Sequence, residues 1–224
     1  MVLFGPEAQG AGVPPLSHMT ALKSLDLTNL IAPDLAFLEG LPSVQDLGLR
    51  DARVGNYAAL ASLTSLTTLA LSQSDINVLA PLGALTGIRT LGLFDTGITD
   101  IGPLSGLKAL DRLHVDKAQI TDVSPLGGLT SLTWLELDRN PIRDISPLTG
   151  LTALRHLDLH DTGIAAVDAL KDMKALWDLD LSHTQVSDLS PLSGHDHLRS
   201  LDIRDTEVTD ISPLDGLEKL DLKR

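Results

Sequence analysis

Asp144 and Ser146, followed by His156 and Asp158, are the residue types of a hydrolytic centre: a hydroxyl nucleophile, an imidazole base and carboxylates to orient it. Such a group acts only if the fold brings the side chains within hydrogen-bond reach. The phrase around Asp144, DISPLTGL, recurs as DVSPLGGL at 122, DLSPLSGH at 188 and DISPLDGL at 210. A catalytic motif is needed once, whereas a backbone device is needed in every unit. The recurrence assigns DISPL to the backbone.

The elements that carry it repeat with a fixed period. Leu22, Val44, Leu66, Ile88, Leu110, Leu132, Leu154, Leu176, Leu198 and Leu220 stand 22 residues apart. Leu25 to Leu201 and Leu27 to Ile203 form two further columns, so each unit reads LxxLxL. The last three positions alternate as a strand does, with the apolar side inward. Another column holds Leu38, Leu60, Leu82, Leu104, Leu126, Leu148, Leu170, Leu192 and Leu214. In the intervening SPLxGL phrase, Ser is expected to cap a short turn and Pro to open it. Gly106, Gly128, Gly150, Gly194 and Gly216 are expected to let the chain leave it. The roughly five residues available to that phrase allow only a 3₁₀ or single-turn helix. The stretch 165–173, without Gly or Pro, is expected to form a fuller helical turn.

These columns resemble the 22-residue class of leucine-rich repeats, as in the bacterial internalins and the phosphatase-1 regulatory subunit. The likeness runs from Met19 to Leu217. It implies an α/β solenoid, a horseshoe with a parallel sheet on the concave face and short helical turns on the convex face. It also implies a non-catalytic module for binding protein. That family usually places Asn four residues before DIxPL, bonding the backbone of the next turn. Here only Asn140 does so; Ser74, Thr96, Thr162, Thr184 and Thr206 offer hydroxyls, and Ala52 and Ala118 offer nothing. The expected organisation is a Gly/Pro-rich coil over 1–18, nine repeats over 19–217 and a shortened tenth over 218–224. Leu3 and Phe4 are expected to cover the first repeat, and uncovered strand edges to favour self-association.

Composition narrows the function. The 224 residues carry a formal charge of -13, which points away from nucleic acid and anionic membranes. There is no cysteine, which removes thiol chemistry and the catalytic residue of a repeat-borne ubiquitin ligase. No apolar run approaches the roughly 18 residues of a membrane span. The first residues lack a signal peptide's charged and apolar regions, so a cytoplasmic location is expected. No phosphate loop or nucleophile elbow is present, and neither metal nor cofactor is expected.

The residues flanking the inward leucines write out the exposed face of the sheet. Repeats 4 to 9 present Phe94, Arg112, His114, Trp134, Glu136, Asp138, His156, Asp158, His160, Asp180 and Asp202. Glu136, Asp158, Asp180 and Asp202 should form a ladder of like charge about 4.8 Å apart, which destabilises a sheet unless offset. Arg112, His156, His160 and Arg204 are the expected offsets. The ladder favours a basic protein partner, with Trp134 as anchor and Trp177 at the rim. A sensor or regulatory domain of a larger bacterial signalling ATPase or enzyme, and a scaffold without a natural partner, are the alternatives. His195 stands in a column of Leu and Met, so His195→Leu is expected to raise the melting temperature.

Overall fold

The computed structural model describes residue 16 and residues 18–224. The expected cover by Leu3 and Phe4 lies outside the described residues. Ten three-residue strands form one parallel sheet: β1 (Ser24–Asp26), β3 (Asp46–Gly48), β5 (Thr68–Ala70), β6 (Thr90–Gly92), β7 (Arg112–His114), β8 (Trp134–Glu136), β9 (His156–Asp158), β10 (Asp178–Asp180), β11 (Ser200–Asp202) and β12 (Asp221–Lys223). They lie side by side in chain order, lining the concave face. Each pairs with its neighbour at a 22-residue offset, so Leu135 faces Leu157 and Leu157 faces Leu179. The last pair departs: Leu201 faces Leu222, 21 residues on. One residue, Asp221, separates Leu220 from Leu222, where two separate Leu198 from Leu201. A second small sheet, β2 (Ile31–Ala32) with β4 (Arg53–Val54), joins the first two repeats and had no sequence signal.

Leu fills the interior because every column stacks on itself; Leu113, Leu135, Leu157 and Leu179 are all fully buried. Burying one such side chain stabilises the fold by about 2 kcal/mol. Among the described residues, nine 3₁₀ turns, from Ala36–Leu38 to Ser212–Leu214, close the other side of the solenoid.

The turns are tied differently from the sequence expectation. The capping position is Val123, Ile145, Leu189 or Ile211, whose side chains make no cap bond, and Ser lies inside the turn. Asp supplies the tie. Asp144 Oδ1 accepts the Ser146 N–H at 2.8 Å and Asp144 Oδ2 accepts the Ser146 hydroxyl at 3.0 Å. Asp122 and Asp188 repeat both bonds, and Asp210 accepts the Ser212 N–H. Asp144 and Ser146 are therefore bonded to each other in a local turn. Only Gly194 and Gly216 of the five exit glycines adopt positive φ. The stretch 165–173 forms an ordinary three-residue turn, Asp168–Leu170, because three bonded residues already close the unit.

One residue per repeat is left-handed: Asn29, Asp51, Gln73, Asp95, Lys117, Arg139, Asp161, His183 and Asp205, with φ between 51° and 65°. This conformation costs a non-glycine residue roughly 1 kcal/mol or more. It aims the N–H at the next repeat, as Arg139 N–H donates to the His160 carbonyl at 2.9 Å. The sheet pairing thus continues beyond the strands and holds Asp116, Asp138 and His160 in line.

Asn140 and the hydroxyls that replace it solve the same problem unequally. Asn140 Nδ2 donates to the Leu137 and Val115 carbonyls, both at 2.9 Å, and its Oδ1 accepts the Ile120 N–H at 3.0 Å. Val115 and Ile120 belong to the preceding repeat, not the next turn. The Ser74, Thr96, Thr162, Thr184 and Thr206 hydroxyls each donate only to the carbonyl three residues back.

Candidate functional site on the concave sheet

The side chains that leave the sheet are set by the pairing. Arg112, Trp134, His156 and Asp178 share one row across β7 to β10, and His114, Glu136, Asp158 and Asp180 share the next. Trp134 and His156 stack with ring centroids 3.8 Å apart and planes 18° apart. The Arg112 guanidinium lies 5.5 Å from the Trp134 ring. The indole N–H donates to Glu136 Oε1 at 2.8 Å, while His114 Nδ1 meets Glu136 Oε2 at 2.6 Å. His156 Nδ1 meets Asp178 Oδ2 at 2.8 Å. Trp134 is thereby held in one pose before anything binds.

The acidic ladder exists, and its members differ. Asp202 is almost fully buried and is clasped by Arg204, whose Nη2 donates to Asp202 Oδ2 at 2.7 Å and whose Nε donates to Oδ1 at 3.0 Å. The Arg204 bonds hold its carboxyl below the usual range. Burial pushes Glu136 up, but the bonds from His114 and Trp134 outweigh it and leave its pKa lowered. Asp180 Oδ1 accepts the Ser182 N–H and hydroxyl. Asp158 has no cation. Its Oδ1 accepts only the His160 N–H at 2.9 Å, and burial, followed by Asp138, Asp180 and Glu136, raises its pKa to about 7. In the adjoining row, burial and the nearby Asp138 raise Asp116 to about 6, and its Oδ1 is buried without a partner. Asp138 accepts from Arg139 Nε at 2.9 Å.

Of the four expected offsets, Arg204 neutralises a ladder carboxylate, and His156 lies 4.0 Å from Glu136 while bonding Asp178 instead. Arg112 turns to Trp134, and the His160 ring bonds the Ser182 hydroxyl. His114 is the partner that Glu136 does find. Phe94, under the Lys117 ammonium at 5.7 Å, is set apart in a second depression of about 430 Å³ with Ala70, Gly92 and His114. The structure thus gathers Arg112 through Asp180 into one cluster, with Phe94 at one margin and Asp202 at the other.

Apart from Trp177, the row just before each strand escaped notice in the sequence. It contributes Asp111, Thr133, Arg155, Trp177 and Arg199, which border a depression of about 690 Å³ with Trp134, His156, Asp178 and Ser200, or continue it. The signal was there in the same 22-residue spacing, one position before the row of Trp134.

His195 was misjudged. It is fully buried, with Nε2 3.0 Å from the Leu170 carbonyl and Nδ1 2.9 Å from the Leu192 carbonyl. The Lys174 ammonium is 3.3 Å from Nδ1. Burial, then Lys174, lowers its pKa, so the neutral ring serves as a polar link between repeats. Among the described residues no group of three or more His, Asp or Glu converges as a metal site would. No helix among them is long and apolar enough to cross a membrane.

A ten-stranded parallel sheet closed by 3₁₀ turns at a 22-residue period defines a leucine-rich-repeat solenoid, and the chain carries leucine-rich repeats. The family described as Leucine Rich repeats (2 copies) matches residues 130–172. Among solved structures, an internalin (inlF) from Listeria monocytogenes is similar at a TM-score of 0.84 and 31% identity, over 93% of this chain and 62% of that one. An internalin C2 (inlC2) of the same organism gives 0.72 and 29%, over 92% and 83%. The chain spans less than two thirds of the length of inlF. No curated protein matches it.

Proposed function

We propose that the protein is a non-catalytic recognition module whose concave sheet binds a basic segment of another protein through repeats 5 to 8. The observation that carries this reading is the fixed Trp134, stacked on His156 and bonded to Glu136, beside the uncompensated Asp158. A preset indole loses little freedom on binding, as hot-spot residues require. A partly buried carboxylate without a cation is costly in the free protein, and a Lys or Arg from a partner relieves that cost. The repeat fold and the likeness to internalins support a protein partner.

The test uses wild type, Trp134→Ala and Asp158→Ala as baits side by side, then titration calorimetry of the captured protein at two salt concentrations. Binding that weakens in both variants and falls with salt supports the reading. A partner that binds both variants as well as wild type places the site elsewhere.

A further inference from the structure

The sheet is polarised across its strands. Carboxylates crowd the end where the strands finish, at Asp116, Asp138, Asp158 and Asp180. The opposite rim, five residues away from Asp138 in sequence at Thr133, carries guanidinium and indole instead. Five residues of extended chain span about 16 Å, so the two edges are separate fields at ordinary salt.

At that rim Trp177 is 59% exposed, unusual for a side chain of its size. Arg155 and Arg199 flank it and share with it a depression of about 500 Å³. This depression shares Arg155 and Trp177 with the 690 Å³ one that Trp134 lines. The two carboxylates that line the larger depression are engaged. Asp178 is held by His156 at 2.8 Å, and Asp111 accepts the Thr133 hydroxyl and has Arg112 at 3.9 Å. Among the described residues, Arg155 and Arg199 enter no ion pair. Arg199 is braced by its own backbone, Nη1 donating to the Asp196 and Leu198 carbonyls, both at 2.8 Å. In a chain of net charge -13, two unpaired guanidiniums beside an exposed indole are an anion-selective apolar site.

We infer that the Arg155–Trp177–Arg199 rim binds an acidic peptide segment, one apolar side chain resting on Trp177 and carboxylates reaching the two arginines. The inference rests on the concave face being the recognition surface, and adds that the partner offers acid at this rim and base at the other. Opposite fields on the two edges fix the direction in which a partner lies across the strands, because the reversed pose sets like charges together.

The probes are a short synthetic peptide of glutamate, glycine and serine with one central leucine, and its counterpart with lysine for each glutamate. Both are titrated calorimetrically into the full chain at low salt. The glutamate peptide is expected to bind despite the net negative charge of the protein. Arg155→Glu with Arg199→Glu is expected to weaken it roughly tenfold or more, and Trp177→Ala several-fold. Asp138→Asn with Asp158→Asn is expected to leave it unchanged while weakening the lysine peptide. No binding of the glutamate peptide, or equal binding to the arginine double variant, overturns the inference, as does a hyaluronan oligosaccharide binding in its place. Failure of the lysine peptide alone counts instead against the basic partner proposed for the other edge.

Discussion

Asp158→Asn should stabilise the protein, and the gain should depend on pH. Asp158 lies between Glu136 and Asp180 across the sheet, and its pKa rises from 3.8 to about 7. A carboxyl whose folded pKa is raised contributes its stability below the unfolded value. That contribution is lost as pH climbs from about 4 to about 7, because the unfolded chain ionises first. A shift of about three units at 1.36 kcal/mol per unit sets a ceiling of about 4 kcal/mol. The side chain keeps some contact with water, so the measurable effect falls to about 1–3 kcal/mol. Asparagine retains the carbonyl oxygen that accepts the His160 N–H. Urea unfolding of wild type and variant at pH 4 and pH 8 reads the difference. The variant should match wild type closely at pH 4 and exceed it at pH 8. Equal stability at pH 8, or the same gain at both pH values, would refute the electrostatic reasoning. The same substitution should weaken a basic partner, so stability and affinity move in opposite directions.

Other outcomes follow from single contacts. Asn140→Ala strands the Ile120 N–H and Val115 carbonyl inside the core and should cost about 2–4 kcal/mol in urea unfolding. Thr162→Ala, which loses one bond within its own repeat, should cost about 1 kcal/mol. His195→Leu should lower the melting temperature, reversing the expectation from the Leu and Met column, because it removes the bond to Leu170 across repeats; a higher one would show that the bond is worth less than the added apolar burial. Trp134→Ala should cost roughly 2 kcal/mol or more of partner affinity by calorimetry, with little change in melting temperature. Acidification from pH 8 to 6 protonates Asp158 and should weaken a basic partner; an affinity that rises on acidification would oppose this.

What was legible in the sequence is what repeats. The Leu columns specify the stacking because any other register puts their side chains in water, and the strand rows follow from them. The single-residue slip at Leu222 went unread, although Leu220 keeps the column while Lys223 breaks the next one. The Ser caps were assigned wrongly because Asp, two residues earlier, ties the turn instead, accepting the N–H of Ser itself on a charged oxygen. His195 misled for a different reason: its partner is a backbone carbonyl of the preceding repeat, and carbonyls carry no sequence signature. The row of site residues could be written from the period, but the inequality among its carboxylates could not. Whether a ladder acid finds a cation depends on rotamers, such as Arg112 lying over Trp134 while His114 serves Glu136.

The 22-residue offset also makes the solenoid a ruler. Distances along the concave face come in whole strand spacings of about 4.8 Å, so Trp134 on β8 and Trp177 before β10 are two marks apart. A unit duplicated between β5 and β6 would lengthen the neutral part and leave every contact around Trp134 intact, since each apolar column accepts another member. The same unit placed between β8 and β9 would part Trp134 from His156 and Glu136 from Asp158, with no damage to the core. Gain or loss of whole repeats can therefore retune what this surface grips at almost no cost in folding. The position of an insertion, more than its sequence, decides whether recognition survives.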